Sequence, residues 1–289
     1  MDMNILSGSE LSLFIKERQA KQVRALRQSF KVFPKLVILT DKINSYVLKK
    51  QEYLKDILID CDIKEVSDKA ELFSELKLLS EDHNVHGILV QFPILNTRQE
   101  ELEDSLIKEK NVDGILDSSS YISPVALAFM WLLSGNNLSL KDKKIGVIGD
   151  DFLVARAIKK TLKESNLAFE EINENNLDFL KEMDVIINTI SKENLIAKDL
   201  LKDINAFNDK DRKRKKRIKT KDKVIVIDLA KFTASPINKD AVSEEIYDNP
   251  NVIINSKKGS IAPLLLSALA ENVIASARKI ADKEGQKDL

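Results

Sequence analysis

The chain has 289 residues, and its 46 lysines and arginines balance 46 aspartates and glutamates, so the formal net charge is zero. The length predicts two domains, the lack of any apolar run near 18 residues excludes a membrane protein, and the single cysteine, Cys61, excludes a disulfide framework. We also expect no signal peptide, so these features predict a cytoplasmic protein.

The first part of the chain alternates between helices and strands. The first 30 residues carry apolar side chains at helical spacing, which predicts an amphipathic helix. The strands and helices predicted after it are, in order, Lys35–Thr40, Ser45–Ile59, Ile63–Val66, Leu72–Leu79 and Gly87–Ile94. This alternation is typical of a parallel sheet with helices on its faces.

A second set of elements follows. It consists of helix Val125–Leu133, strand Lys143–Asp151, helix Phe152–Glu164, strands Asp184–Ile190, Lys223–Ala230 and Val252–Asn255, and helix Ile261–Asp282. The chain is therefore predicted to be an α/β protein with two α/β domains. We place the first at residues 1–122 and the second at residues 123–260, with the C-terminal helix (261–289) packing back on the first.

Four side chains are predicted to meet at one edge of the first sheet, because ligands bind beyond the carboxyl ends of parallel strands. Tyr46 and Lys50 follow the first strand, four residues apart on one helical face. Gln91 ends the third strand, and Asp113 lies in the next connection. A lysine in a cleft has a lowered pKa and can exchange protons near neutrality. Taken singly, each residue is equally typical of a solvated surface.

The motifs around these residues resemble those of the FolD family, which are methylenetetrahydrofolate dehydrogenases and methenyltetrahydrofolate cyclohydrolases. The resemblance lies in VHGILVQFPI, in NVDGI about twenty residues later and in YVLKK about forty residues earlier. The opening ILSGSEL and the strand PKLVILTD also follow the family pattern. The resemblance implies an N-terminal folate-binding catalytic domain, a C-terminal Rossmann-like NAD(P)-binding domain, a folate substrate and a homodimer.

The resemblance also implies a role for each residue. Lys50 corresponds to the catalytic lysine, Gln91 to the residue that orients it, Tyr46 to the aromatic ring that stacks on the folate, and Asp113 to the carboxylate that binds the pterin. Near the C-terminus, Gly259 and Pro263 remain from a substrate-binding stretch that is otherwise altered to NSKKGSIAPLL.

The second domain departs from the family pattern at its cofactor loop, which in the family resembles GRSxxVGxP. The corresponding positions here are Gly149, Asp150, Asp151 and Val154, with Ile190 in a later loop. Two carboxylates replace the arginine and serine that would meet phosphates. At a helix N-terminus they suit the helix dipole, but they occupy the anion site and repel a phosphate. NADP is the cofactor that the family implies, while NADP, NAD and neither all stay open.

Two functions are compatible with these observations. The first is oxidation of 5,10-methylenetetrahydrofolate and hydrolysis of the product to 10-formyltetrahydrofolate, with the dehydrogenase half impaired. The second is a non-catalytic folate-binding or scaffolding protein of the same fold. The basic run at residues 210–223 has no aromatic residues for base stacking, so we interpret it as a solvated loop and expect no nucleic-acid partner.

Overall fold

The computed structural model describes residues 4–201, 223–233, 240–255 and 261–285. The chain divides into two compact units, a first unit of residues 8–131 and 262–289 and a second unit of residues 1–7 and 132–261. This division differs from the predicted one in three places, one of which is that the second unit ends at residue 261 instead of 260. The boundary follows residue 131 instead of 122, and the first seven residues belong to the second unit.

Both units alternate strands and helices. The described strands are β1 (Ile5–Leu6), β2 (Lys35–Thr40), β3 (Asp60–Glu65), β4 (Gly87–Val90), β5 (Ile145–Ile148), β6 (Glu170–Ile172), β7 (Val185–Asn188), β8 (Val224–Asp228) and β9 (Val252–Asn255). The described α-helices are α1 (Ser9–Ser29), α2 (Ser45–Asp56), α3 (Lys69–Glu81), α4 (Pro124–Gly135), α5 (Ala155–Glu164), α6 (Glu244–Tyr247) and α7 (Ala262–Gly285). The predicted α/β class is therefore confirmed.

In the first unit, β2 lies between β3 and β4, and the strands are parallel. Helix α2 ends three residues earlier than predicted, because Leu58 adopts a positive φ of 66° that a helix cannot continue. Strand β3 then begins at Asp60 and alternates exposed and buried positions, with Cys61 facing inward. The carboxyl ends of the three strands consequently meet at one edge.

The C-terminal helix α7 joins the first unit through a buried polar network. Gln19 of α1 is fully buried, and its Nε2 donates to the Ser267 carbonyl of α7 at 2.8 Å. The Tyr53 hydroxyl of α2 lies 2.9 Å from Gln19 Oε1 and 2.8 Å from Ser267 Oγ. Three helices distant in sequence are thereby fixed together, one of which carries Tyr46 and Lys50.

In the second unit the described strands form one parallel sheet in the order β1-β9-β8-β7-β5-β6. Strand β1 is too short to show a pattern in the sequence. It is recognisable only from its pairing, in which Ile5 lies opposite Ile254. Helix α5 begins at Ala155, three residues after the predicted start. The Asp151 side chain accepts hydrogen bonds from the N–H groups of Leu153 and Val154, which lie just before the helix. In the described ranges no helix is long and apolar enough to cross a bilayer.

The Gln19 network predicts a measurable cost for one substitution. In Gln19→Leu the Ser267 carbonyl loses a donor and the Tyr53 hydroxyl loses a partner, both in a buried site. We expect the free energy of unfolding in urea to fall by about 2–3 kcal/mol. Gln28→Leu, at an exposed position of the same helix, is the control and should change the free energy of unfolding by less than about 0.5 kcal/mol. Equal effects of the two substitutions would show that the network does not stabilise the unit.

Candidate active site

Helix α2 begins directly beyond the carboxyl end of β2. Asn44 caps it, since its Oδ1 accepts hydrogen bonds from the backbone N–H groups of Tyr46 (2.9 Å) and Val47 (3.0 Å). Val47 and Lys50 both lie on the buried face of the helix. The cap therefore sets the start of the helix so that a lysine, unusually, turns inward.

The Lys50 side chain is 5% exposed and is held by two neighbours. Its Nζ donates to Gln91 Oε1 at 2.5 Å, and it lies 4.5 Å from the centroid of the Tyr46 ring. Gln91 Nε2 donates to the Phe92 carbonyl at 3.0 Å, which turns Oε1 toward the lysine. The structure thus brings together three of the four side chains predicted from the sequence.

The fourth residue, Asp113, acts on the same group through its charge. Burial lowers the pKa of Lys50 to about 8, and the nearby Asp113 carboxylate opposes that shift. Burial likewise raises the pKa of Asp113, while Lys50 lowers it. Burial and Asp113 together raise the pKa of the Tyr46 hydroxyl, which keeps it protonated. The site accordingly holds an amine that is able to gain or lose a proton near neutral pH.

The loop that carries Asp113 is fixed by backbone geometry and by the C-terminal helix. Gly114 has a φ of 65°, and a Cβ there would lie 2.7 Å from the Ser123 nitrogen, so only glycine fits. Asn272 Nδ2 donates to the carbonyls of Val112 (2.7 Å) and Ile122 (2.8 Å). Asn272 is not among the residues predicted from the sequence, where its signal is an amide on the apolar face of a long helix.

Lys110 is a second supporting residue that sequence reasoning missed. Its Nζ donates to the carbonyls of Leu79 (2.9 Å), Ser80 (2.8 Å) and Asp82 (2.7 Å) at the end of α3. These are carbonyls that a helix end leaves without intrahelical partners. The lysine thus ties the Asp113 loop to α3, although nothing in its sequence surroundings distinguishes it from a surface lysine.

The predicted cofactor residues lie at the carboxyl ends of β5 and β7 in the second unit. Gly149 directly follows β5, Asp150 is exposed, and Val154 is buried just before α5. Asp151 Oδ1 accepts from the backbone N–H groups of Leu153 (3.0 Å) and Val154 (2.7 Å). Ile190 N donates to an asparagine side chain at the end of β7. Because a carboxylate already takes the N–H groups that would hold a phosphate, these residues do not fit a dinucleotide diphosphate.

Two further residues, Pro263 and Gly259, are predicted to bind substrate near the C-terminus. Pro263 lies in the first turn of α7, where its carbonyl accepts from Ser267 Oγ at 3.1 Å. Gly259 lies outside the described residues, as does the basic run up to residue 222. Within the described part of the chain, no group of three or more His, Cys, Asp or Glu side chains is arranged to hold a metal ion.

The pKa of Lys50 predicts how its burial affects stability. Its folded-state pKa of about 8 lies below the ordinary value of 10.5. Between these values the unfolded chain binds more protons, so the contribution of Lys50 to stability increases as pH rises from about 8 to 10.5. The free energy of unfolding of Lys50→Met in urea, measured relative to the wild type, should therefore be most favourable below pH 8. This advantage of the variant should become smaller as the pH rises above 8. A difference from the wild type that does not change with pH would contradict the shift, and Lys49→Met at an exposed position is the matched control variant.

Three comparisons place this geometry among known proteins. A family model described as the catalytic domain of tetrahydrofolate dehydrogenase/cyclohydrolase matches residues 6–113. The bifunctional protein FolD of Macrococcus caseolyticus is 24% identical over 300 residues, which cover 96% of this chain and 99% of that protein.

Solved structures agree with the sequence comparison. The bifunctional FolD enzyme of Campylobacter jejuni has a TM-score of 0.79 at 24% identity, covering 95% of this chain and 98% of that one. A Trypanosoma brucei FolD, solved with NADP and an inhibitor, has a TM-score of 0.77 at 16% identity, covering 95% and 97%. At these identities the structures establish the shared two-domain fold. Residues 6–113 thus match the catalytic domain of the FolD family, and the chain is similar to FolD proteins over nearly its whole length.

Proposed function

We propose that this protein interconverts one-carbon derivatives of tetrahydrofolate. The family reaction oxidises 5,10-methylenetetrahydrofolate to 5,10-methenyltetrahydrofolate and then hydrolyses that product to 10-formyltetrahydrofolate. The observation that carries the proposal is the buried Lys50 amine, 2.5 Å from Gln91 Oε1 and 4.5 Å from the Tyr46 ring, in the part of the chain that matches the catalytic domain.

Substrate binding follows from the side chains around the lysine. A pterin is a flat aromatic ring with several N–H donors at one end. The half-buried Tyr46 offers an aromatic face for stacking. Asp113, a carboxylate on a loop fixed by Gly114, offers acceptors for the ring N–H groups. In this arrangement the one-carbon bridge of the folate lies toward the amine of Lys50.

Hydrolysis requires one proton to leave water and another to reach a nitrogen. Water attacks the carbon between N5 and N10, and neutral Lys50 takes the proton, which leaves a neutral hydroxyl adduct. The lysine then returns a proton to N5 while the carbon–N5 bond breaks and the hydroxyl proton passes to solvent, so one proton is released overall. With a pKa of about 8, about a tenth of the lysine is neutral at pH 7. Gln91 keeps Nζ in position in both protonation states.

The oxidation half is impaired in this proposal. It removes a hydride from the same carbon and needs an acceptor, which in the family is NADP. The loop around Asp150 and Asp151 does not fit that cofactor, as described above. The alternative of a non-catalytic folate-binding protein is disfavoured, because binding alone does not need a buried amine held by Gln91.

The setting of the protein is inferred from its family and composition. We place it in the cytoplasm as a homodimer without a nucleic-acid partner. The support is the family resemblance together with the neutral net charge of the chain.

The role of Lys50 predicts a sharp loss of turnover in Lys50→Met, which keeps the length of the side chain but removes the amine. Hydrolysis of methenyltetrahydrofolate, followed by the loss of its near-ultraviolet absorbance, should fall about a thousandfold. Binding of 5-formyltetrahydrofolate should change less than about threefold, because Tyr46 and Asp113 remain. Lys49→Met is the matched control and should keep its activity. A Lys50→Met protein that still turns over at more than about a tenth of the wild-type rate would remove Lys50 from the mechanism.

A further inference from the structure

The second unit contains the place where a nucleotide would bind in such a sheet. Strand β5 has β6 on one side and β7 on the other, so the chain direction across the sheet reverses between β5 and β7. Ligands of open parallel sheets bind outside the carboxyl ends of the strands at such a point. Dinucleotide diphosphates are held there by the N–H groups that open the following helix, here α5.

Three N–H groups around the start of α5 already have acceptors within the protein. Asp151 Oδ1 accepts from Leu153 N (3.0 Å) and Val154 N (2.7 Å). The Asp151 backbone carbonyl accepts from Arg156 N at 3.1 Å. A carboxylate at this position is a good helix cap and suits the positive end of the helix dipole. The Asp151 carboxylate therefore occupies the place where the diphosphate of a dinucleotide would bind.

A second carboxylate lies at the start of α5. Asp150 is exposed beside Asp151, so a diphosphate would meet two carboxylates at the start of the helix. Lysines of the loops beyond β7 and β8 are engaged with carboxylates, Lys192 with Glu174 at 3.3 Å and Lys231 with Asp240 at 2.7 Å. The 2′-phosphate of NADP would have to displace such pairs before it could use their charge.

The carboxyl ends of the central strands are also bonded to one another. Gly149 approaches β7 so closely that a Cβ on it would lie 2.4 Å from Thr189 Oγ1, and that hydroxyl donates to the Ile148 carbonyl at 2.8 Å. Fully buried Asn188 donates to Asp228 Oδ1 (2.9 Å) and to the Ile190 carbonyl (3.1 Å). These groups satisfy each other, whereas a binding crevice leaves donors and acceptors for its ligand.

We propose that the second unit of this protein has lost its dinucleotide site, so that the first unit hydrolyses 5,10-methenyltetrahydrofolate without NADP or NAD bound. The proposal rests on the proposed function for the identity of the reaction, and on the geometry around Asp151 and Asn188 for the loss of the cofactor. The second unit then serves as a scaffold with a Rossmann-like fold and no nucleotide ligand.

Direct binding measurements on the full chain test this inference. Isothermal titration with NADP, with NAD and with 5-formyltetrahydrofolate should show saturable binding of the folate only. Neither dinucleotide should bind with a Kd below about 1 mM. Saturable NADP or NAD binding below that value would overturn the proposal. Failure of the folate to bind would count against the proposed function instead, so the two outcomes are distinguishable.

A charge-neutral variant tests the physical cause. Asp150→Asn with Asp151→Asn keeps a side-chain oxygen to cap the helix but removes both charges. We expect dinucleotide affinity to improve at least about tenfold over the wild type. Asp199→Asn with Asp248→Asn makes the same charge change at exposed positions elsewhere in the unit and should leave the affinity unchanged. Equal affinities of all three proteins would show that the negative charges of Asp150 and Asp151 do not exclude the cofactor.

Discussion

The burial of the Lys50 amine away from water is the constraint that determines how the candidate site in the first unit is arranged. Burial disfavours the charged form of Lys50 and brings its pKa to about 8. The buried position of the Lys50 amine is tolerated because Gln91 Oε1 accepts a hydrogen bond from Nζ and the Tyr46 ring lies 4.5 Å from it. The negative charge of Asp113 also favours the protonated amine. Each of these partners comes from a different segment, so the fold must bring the ends of β2 and β4 and the Asp113 loop together.

The supporting contacts show how that arrangement is held. The Asn44 cap sets the start of α2, and Tyr53 fixes the same helix through Gln19 and Ser267. Asn272 reaches from the C-terminal helix to the backbone on both sides of the Asp113–Gly114 turn. The C-terminal helix is thus part of the site architecture, although it is about 150 residues away in sequence from the loop it supports.

The two units use similar strands and helices but treat their polar groups differently. In the first unit, Lys50 and Asp113 have pKa values shifted by burial, and each charge acts on the pKa of the other. In the second unit, Asp151 and Asn188 occupy comparable strand-end positions and are bonded to the protein's own backbone and side chains. Burial also raises the pKa of Asp228 in the second unit, but its Oδ1 accepts hydrogen bonds from Asn188 Nδ2 and from the Ala230 N–H. The first unit therefore holds a buried amine that can exchange a proton near neutral pH, whereas these strand-end groups of the second unit are bonded to one another.

Much of this organisation follows from local patterns in the sequence. Apolar runs and helical spacing predicted the α/β class, and the four-residue spacing of Tyr46 and Lys50 predicted one shared face. Features that depend on contacts between distant parts of the chain gave no such signal. Strand β1 has only two residues and is defined by its pairing with β9, and the role of Asn272 depends on where its helix packs. The roles of Lys50, Gln91, Tyr46 and Asp113 stay predictions, since geometry shows their proximity and not their chemistry.

One assay tests the central claim most directly. Purified protein is mixed with methenyltetrahydrofolate, and the loss of its near-ultraviolet absorbance is followed with and without NADP. We expect protein-dependent hydrolysis at the same rate in both cases, because Lys50, Gln91, Tyr46 and Asp113 all lie in the first unit. No hydrolysis above the buffer rate, or hydrolysis that requires NADP, would contradict it.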